Sequence, residues 1–194
     1  GWTIADTATD NQLRAQAIAE TLDADDGEKL LTLFHRLAKG ATTRGVHRMV
    51  QDAVDQLYDV YLEAPPEAWR QLQVAAGLKP EELNQLFDEL ESLTLPTAGM
   101  ANARDTCLNF ARAGDWESFV GKGLPSKIVE GKSDFNRKEI PADVIACITR
   151  ILQHVKSVLL APIVAHNEAT YELLSSFHTH YDRLKRQRQA LRFD

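Results

Sequence analysis

Apolar residues recur every three or four positions over most of the chain, the spacing of one face of an α-helix. The clearest stretch is Val46, Met49, Val50, Ala53, Val54, Leu57, Val60 and Tyr61, while Arg48, Gln51, Asp52, Asp55 and Asp59 fall on other faces. Ahead of it, Thr9 or Asp10 suits a helix start with Leu13, Ile18 and Leu22 on one side, and the acidic turn at Asp23–Gly27 ends it. A second helix is expected over Glu28–Lys39, with Leu30, Leu31, Phe34 and Leu37 as its stripe and Gly40 as its stop. Pro65-Pro66-Glu67 breaks the chain and reopens a short helix carrying Trp69. Another starts at Lys79-Pro80-Glu81-Glu82, and one through Met100, Cys107 and Phe110 ends at Gly114. Pro141 opens a helix with Val144, Ile148, Ile151 and Val155 inside, which Pro162 should kink or interrupt. A long helix over about 163–192 follows, with Leu174, Phe177, Tyr181 and Leu184 as its seam. Only 121–140 lacks a helical period; with three glycines and a proline it is expected to be a basic loop or a small hairpin turning near Gly131–Ser133. The pattern predicts an all-α fold, an irregular multi-helix subdomain spanning 1–194 with two long C-terminal helices.

A length of 194 residues with 44% hydrophobic and 26% charged residues suits one globular domain and argues against disorder or a disulfide scaffold. The longest apolar run, near Val155–Val164, is broken by Lys156, Ser157 and Pro162, which argues against a membrane span. The opening GWTIADTATD has neither a basic flank nor an apolar block, so no secretory signal is expected. Cys107 and Cys147 lack metal-ligand spacing; reduced, buried thiols in a cytoplasmic protein are the expectation. The net charge of −6 hides an asymmetry. Residues 1–100 hold 17 acids against 8 bases, and residues 101–194 hold 11 acids against 14 bases, so any contact with a polyanion should fall late in the chain.

Catalytic motifs fail on spacing. Gly131-Lys132-Ser133 resembles the end of a phosphate-binding loop, but the glycine required five residues earlier is Ser126. His178 and His180, two apart on a helix, point in nearly opposite directions and cannot share a metal ion. Neither Glu168 nor Glu172 is followed three residues on by a histidine, so the di-iron bundle pattern is absent. Neither a nucleophile elbow nor a cysteine in a catalytic context occurs. Two basic sets remain: Lys122, Lys127, Lys132, Arg137 and Lys138 in the loop, and Arg183, Lys185, Arg186 and Arg188 on the last helix. Such residues neutralise phosphates without reading sequence, or else they are ordinary solubilising charge.

The tail YDRLKRQRQALRFD resembles the segment of UvrD/Rep-type superfamily 1 DNA helicases in which a Tyr–Lys–Arg helix runs into a Leu-x-Phe-Asp-Asp element. Tyr181, Leu184, Lys185, Leu191, Phe193 and Asp194 match it. GWTIADTATDNQLRAQAIAE is similar to a stretch after the early motifs of AddA/RecB-like helicase-nucleases, and VHRMVQDAVDQLYDVY, PPEAW and the loop before IPADV extend the similarity along the chain. The resemblance implies the accessory subdomain called 1B, inserted in a motor domain whose Walker A and Walker B residues lie outside it. It further implies a segment without catalysis or cofactor of its own, within a parent that uses ATP and Mg2+ and acts in DNA repair or recombination. The implied partners are the DNA single-strand/duplex junction, the remainder of the parent helicase and an AddB/RecC-like subunit, with no membrane. The competing expectation is a helical scaffold that docks a partner subunit and never touches DNA.

Overall fold

A computed structural model describes residues 3–4, 6–23 and 43–191. The helix expected over Glu28–Lys39 lies outside them, as do Phe193 and Asp194. The fold is all-α: eight helices among the described residues, with four two-residue strands. The chain divides into two compact units, one formed by residues up to Gln73 together with those from Pro162 onward, the other by Val74–Ala161.

The first unit contains α1 (Thr7–Asp23), α2 (Thr43–Glu63), α3 (Pro66–Trp69) and the later part of α8 (Ala142–Arg188). Asp6 caps α1, accepting from the Thr9 amide at 2.7 Å, so the helix starts a turn earlier than Thr9 or Asp10. Each helix contributes residues about a turn apart to one core: Leu13, Ala17 and Ile18 from α1; Val46, Val50, Val54 and Tyr58 from α2; Leu173, Leu174, Phe177, Tyr181 and Leu184 from α8. Spacings of three and four put these side chains on one stripe per helix, and burying the stripes against each other holds the three together. Pro65 lacks the N–H that would extend α2, and Pro66 occupies the first turn of α3, where that loss is harmless. Strand β1 (Thr3–Ile4) pairs in parallel with β4 (Ala190–Leu191).

In the second unit, α4 (Pro80–Ser92), α5 (Ala98–Arg112), α6 (Trp116–Gly121) and α7 (Gly123–Val129) pack with the first part of α8. Leu90, Met100, Phe119, Leu124, Val144 and Ile148 are wholly buried there. Thr97 caps α5 by accepting from the Met100 amide, and Asp115 caps α6 by accepting from that of Ser118. Arg104 reaches the open end of α4, donating to the Glu91 and Leu93 carbonyls at 2.7 and 3.0 Å. Cys107 and Cys147 are free and buried, their thiols pushed by burial up to about 12 and about 11. That makes both poor nucleophiles.

Two expectations fail. The segment 121–140 is not mainly a loop. Gly121 ends α6, Gly123 turns the chain at φ +65°, and Pro125 sits in the first turn of α7. Gly131, at φ +73°, ends α7, with the Lys132 amide reaching the Lys127 carbonyl at 2.9 Å. A helix of seven residues between two glycines is too short to show a period. The hairpin exists, but β2 (Asp134–Phe135) and β3 (Lys138–Glu139) turn at Asn136-Arg137, both in the left-handed region, not at Gly131–Ser133. Pro162, expected to kink or interrupt the chain, does not interrupt it: in place of two long C-terminal helices there is one, running from Ala142 to Arg188. Proline removes one ladder bond without unwinding a helix whose neighbouring turns are intact. An 18-residue window of α8 reaches a mean hydropathy of 1.5, so by length and composition this helix could cross a membrane, although a third of the window is buried within the protein.

His154 on α8 accepts the Leu78 amide through Nδ1 at 3.0 Å and lies against the edge of Trp116. Burial lowers its pKa below the ordinary histidine value, so the neutral ring that accepts this bond is favoured on folding. A depressed folded value means the stabilisation is complete above the unfolded histidine pKa and is lost as the pH falls through the folded one. The protection factor of the Leu78 amide against hydrogen exchange, followed by NMR, should therefore fall between pH 7 and pH 5, more steeply than that of the Met100 amide, whose cap is a threonine. Equal changes in the two protection factors would contradict the assignment.

Candidate functional site

The basic residues singled out in the sequence fall into two groups. In the second unit, Lys127 and Lys132 both bind Glu130, at 3.2 and 2.7 Å. Bonds from Lys132 first and Lys127 second hold the exposed Glu130 carboxyl down to about 2. Lys122 lies 4.9 Å from the Phe110 ring centroid and reaches the Ser118 hydroxyl. Arg137 sits in the hairpin turn and Lys138 follows on β3, both exposed. In the first unit, Arg183 pairs with Glu20 on α1 at 2.6 Å and Arg186 with Asp182 at 2.7 Å. Lys185 lies 4.6 Å from the Tyr181 ring centroid, and Arg188 is exposed at the helix end. Lys127 and Lys132 meet at one carboxylate, and several of the other cations also have carboxylate partners on the surface, where such pairs are weak and exchangeable.

The first unit also brings together groups far apart in sequence. Tyr58 on α2 is 2.7 Å from His178 Nδ1 on α8. Burial, with the Tyr181 phenol next in weight, pushes the Tyr58 hydroxyl above its ordinary range. It therefore stays protonated and can donate to Nδ1 of the tautomer that carries its proton on Nε2. Arg14 and Asp10 on α1 pair at 3.0 Å, the Arg14 guanidinium lies 5.7 and 5.8 Å from the Tyr58 and Tyr181 ring centroids, and the Tyr181 hydroxyl donates to Asp10. This polar chain runs through the aromatic part of the core.

Beside it opens a cleft of about 410 Å³, lined chiefly by Tyr61, Glu63, Pro65, Pro66, Tyr171 and His178. The Tyr61 and Tyr171 rings lie 5.6 Å apart, and His178 is 5.7 Å from Tyr61. Arg70 places its guanidinium 5.5 Å from the Tyr171 centroid, and Trp69 packs on the same ring at 6.1 Å. The Trp69 indole N–H is buried without a hydrogen-bond partner among the described residues. From the sequence, His178 falls on a helix surface and Trp69 on an ordinary packing position. The signal that local spacing lacks is the return of α8 past the end of α2, which sets positions 61 and 171 side by side.

No family model, curated protein or solved structure matches this chain. The functional reading rests on the residues themselves.

Proposed function

We propose that this chain is an accessory, DNA-engaging helical module of an ATP-dependent DNA helicase of the UvrD/Rep type, acting in DNA repair or recombination and carrying no ATPase centre of its own. The observation that supports this best is the parallel pairing of Thr3–Ile4 with Ala190–Leu191. Parallel strands are normally part of larger sheets covered on both faces, and a pair two residues long is a poor sheet by itself. A short parallel pair on either side of a helical segment suits attachment to a parallel sheet of an α/β domain. The helix carrying Tyr181, Leu184 and Lys185 leads into one of those strands. ATP and Mg2+ would belong to the remainder of the parent.

In this reading, Arg186 and Arg188 on α8 and Arg137 and Lys138 on the hairpin neutralise phosphates of the DNA. Lys122, Lys127, Lys132, Arg183 and Lys185 contribute less, because neighbouring groups within the chain compete for them, whereas Arg186, although paired with Asp182, keeps 75% of its side chain exposed. Fluorescence anisotropy with a labelled forked DNA, at several salt concentrations, tests this. The chain should bind weakly, and removing each phosphate-neutralising cation should flatten the log K against log salt slope by about 0.9. Charge reversal at Arg186 and Arg188, and separately at Arg137 and Lys138, should weaken binding; reversal of Lys127 and Lys132 should matter less. Affinity and slope unchanged in both sets would overturn the reading in favour of a scaffold that docks a partner subunit without DNA contact.

A further inference from the structure

Four features converge on the cleft at the end of α2. Tyr61 and Tyr171 line it with aromatic rings, whose faces carry negative quadrupole charge. Glu63, exposed at the rim, adds a carboxylate. The cleft is built on the C-terminal turn of a 21-residue helix, the negative end of its dipole, and that turn contains no basic residue. Lastly, Arg70 shows the preference from within the chain, since its guanidinium already lies over Tyr171. The first three favour positive charge and repel phosphate, and Arg70 is a cation of this chain that already uses one of the rings. Leu62, nearly half exposed, together with Pro65 and Pro66, supplies apolar surface for a cation that carries hydrocarbon.

We propose that the cleft formed by Tyr61, Glu63, Pro65, Pro66, Tyr171 and His178 binds a weakly hydrated organic cation, a guanidinium or a quaternary ammonium group. Such a cation gives up little hydration on entering an aromatic site, whereas a bare ammonium gives up more. The group could reach the cleft as a free small molecule or as an arginine side chain of a partner; the chemistry of recognition is the same. The site is independent of the helicase reading, because phosphate contacts would lie elsewhere on the chain and respond oppositely to charge.

The test is calorimetric titration of the intact chain with choline, with its neutral isostere 3,3-dimethylbutan-1-ol and with N-acetylarginine amide. Choline should bind about tenfold more tightly than the isostere, the discrimination expected of a cation–aromatic site. Tighter binding of N-acetylarginine amide than of choline would assign the cleft to a partner's arginine, and the reverse to a free quaternary ammonium. Glu63→Gln, an exposed change that leaves packing intact, should weaken both cations several-fold and leave the isostere unaffected. Arg70→Gln removes the internal competitor and should tighten both. Tyr61→Phe keeps the ring and should retain binding. The proposal is overturned if choline and the isostere bind equally, if neither cation binds, or if Arg70→Gln weakens binding as it would for an anion.

Discussion

Phe177→Ala should cost the first unit about 3–5 kcal/mol, the range for removing a buried aromatic ring whose surroundings relax only in part. Phe177 has no exposed surface. Its ring stands edge-on to Tyr58 at 5.0 Å and stacks on Tyr181 at 5.4 Å, so the substitution removes two aromatic contacts as well as buried area. A loss of this size takes much of the roughly 5–15 kcal/mol by which a domain is ordinarily stable. Urea unfolding followed by circular dichroism measures it. Phe177→Leu, which refills most of the volume, should cost less than half as much, and Val60→Ala on the exposed side of α2 should change stability by about 0.5 kcal/mol or less. A Phe177→Ala variant within about 1 kcal/mol of the parent would mean that Tyr58 and Tyr181 pack adequately without the ring.

The elements legible in the sequence are those in which one periodic signal runs long enough to be counted. Of the expected stripe, Val46, Val50 and Val54 are on the buried face of α2, because a helix of 21 residues presents several turns of the same pattern; Tyr58, outside that stripe, is buried with them, and Val60, within it, is 49% exposed. The end expected at Gly114 for the helix through Met100, Cys107 and Phe110 agrees with the structure, where that helix closes at Arg112 and Gly114 has φ +70°. Signals of equal chemical strength misled where their context was tertiary. Gly131-Lys132-Ser133 carries the glycine of a turn, but that glycine closes α7. Pro162 carries a helix-breaking signal, yet the turns on both sides of it remain helical. The candidate cations were legible as residue types but not as partners. That Lys127 and Lys132 share Glu130 follows from α7 and its C-terminal turn, which the sequence did not predict. The aromatic cleft was not legible at all. Tyr58 and His178 are 120 residues apart and Tyr61 and Tyr171 nearly as far, so no local spacing joins them.

Asp10→Ala should destabilise the first unit by about 2–3 kcal/mol, more than any exposed ion pair in the chain would. Asp10 and Arg14 have side chains only 16% and 17% exposed. Burial opposes the Arg14 charge, and Asp10, with help from Tyr181, more than offsets that opposition, so the guanidinium is held above its ordinary value. Truncating Asp10 leaves a largely buried cation beside two tyrosine rings without its carboxylate, and takes an acceptor from the Tyr181 hydroxyl. Much of the loss is therefore the cost of desolvating what is left behind. Asp10→Asn keeps an acceptor in place and should cost about 1 kcal/mol. Combining Asp10→Ala with Tyr181→Phe should cost less than the sum of the two, by about 1 kcal/mol, because both delete the same bond. Asp182→Ala provides the contrast: it breaks an ion pair with Arg186, whose side chain is 75% exposed, and should change stability by about 0.5 kcal/mol or less. Raising the salt concentration to about 1 M should erase the Asp182 effect and leave most of the Asp10 effect standing, since shielding reaches surface pairs far more than buried ones. If both effects vanish together, the Asp10–Arg14–Tyr181 cluster is a solvated surface feature and not part of the core.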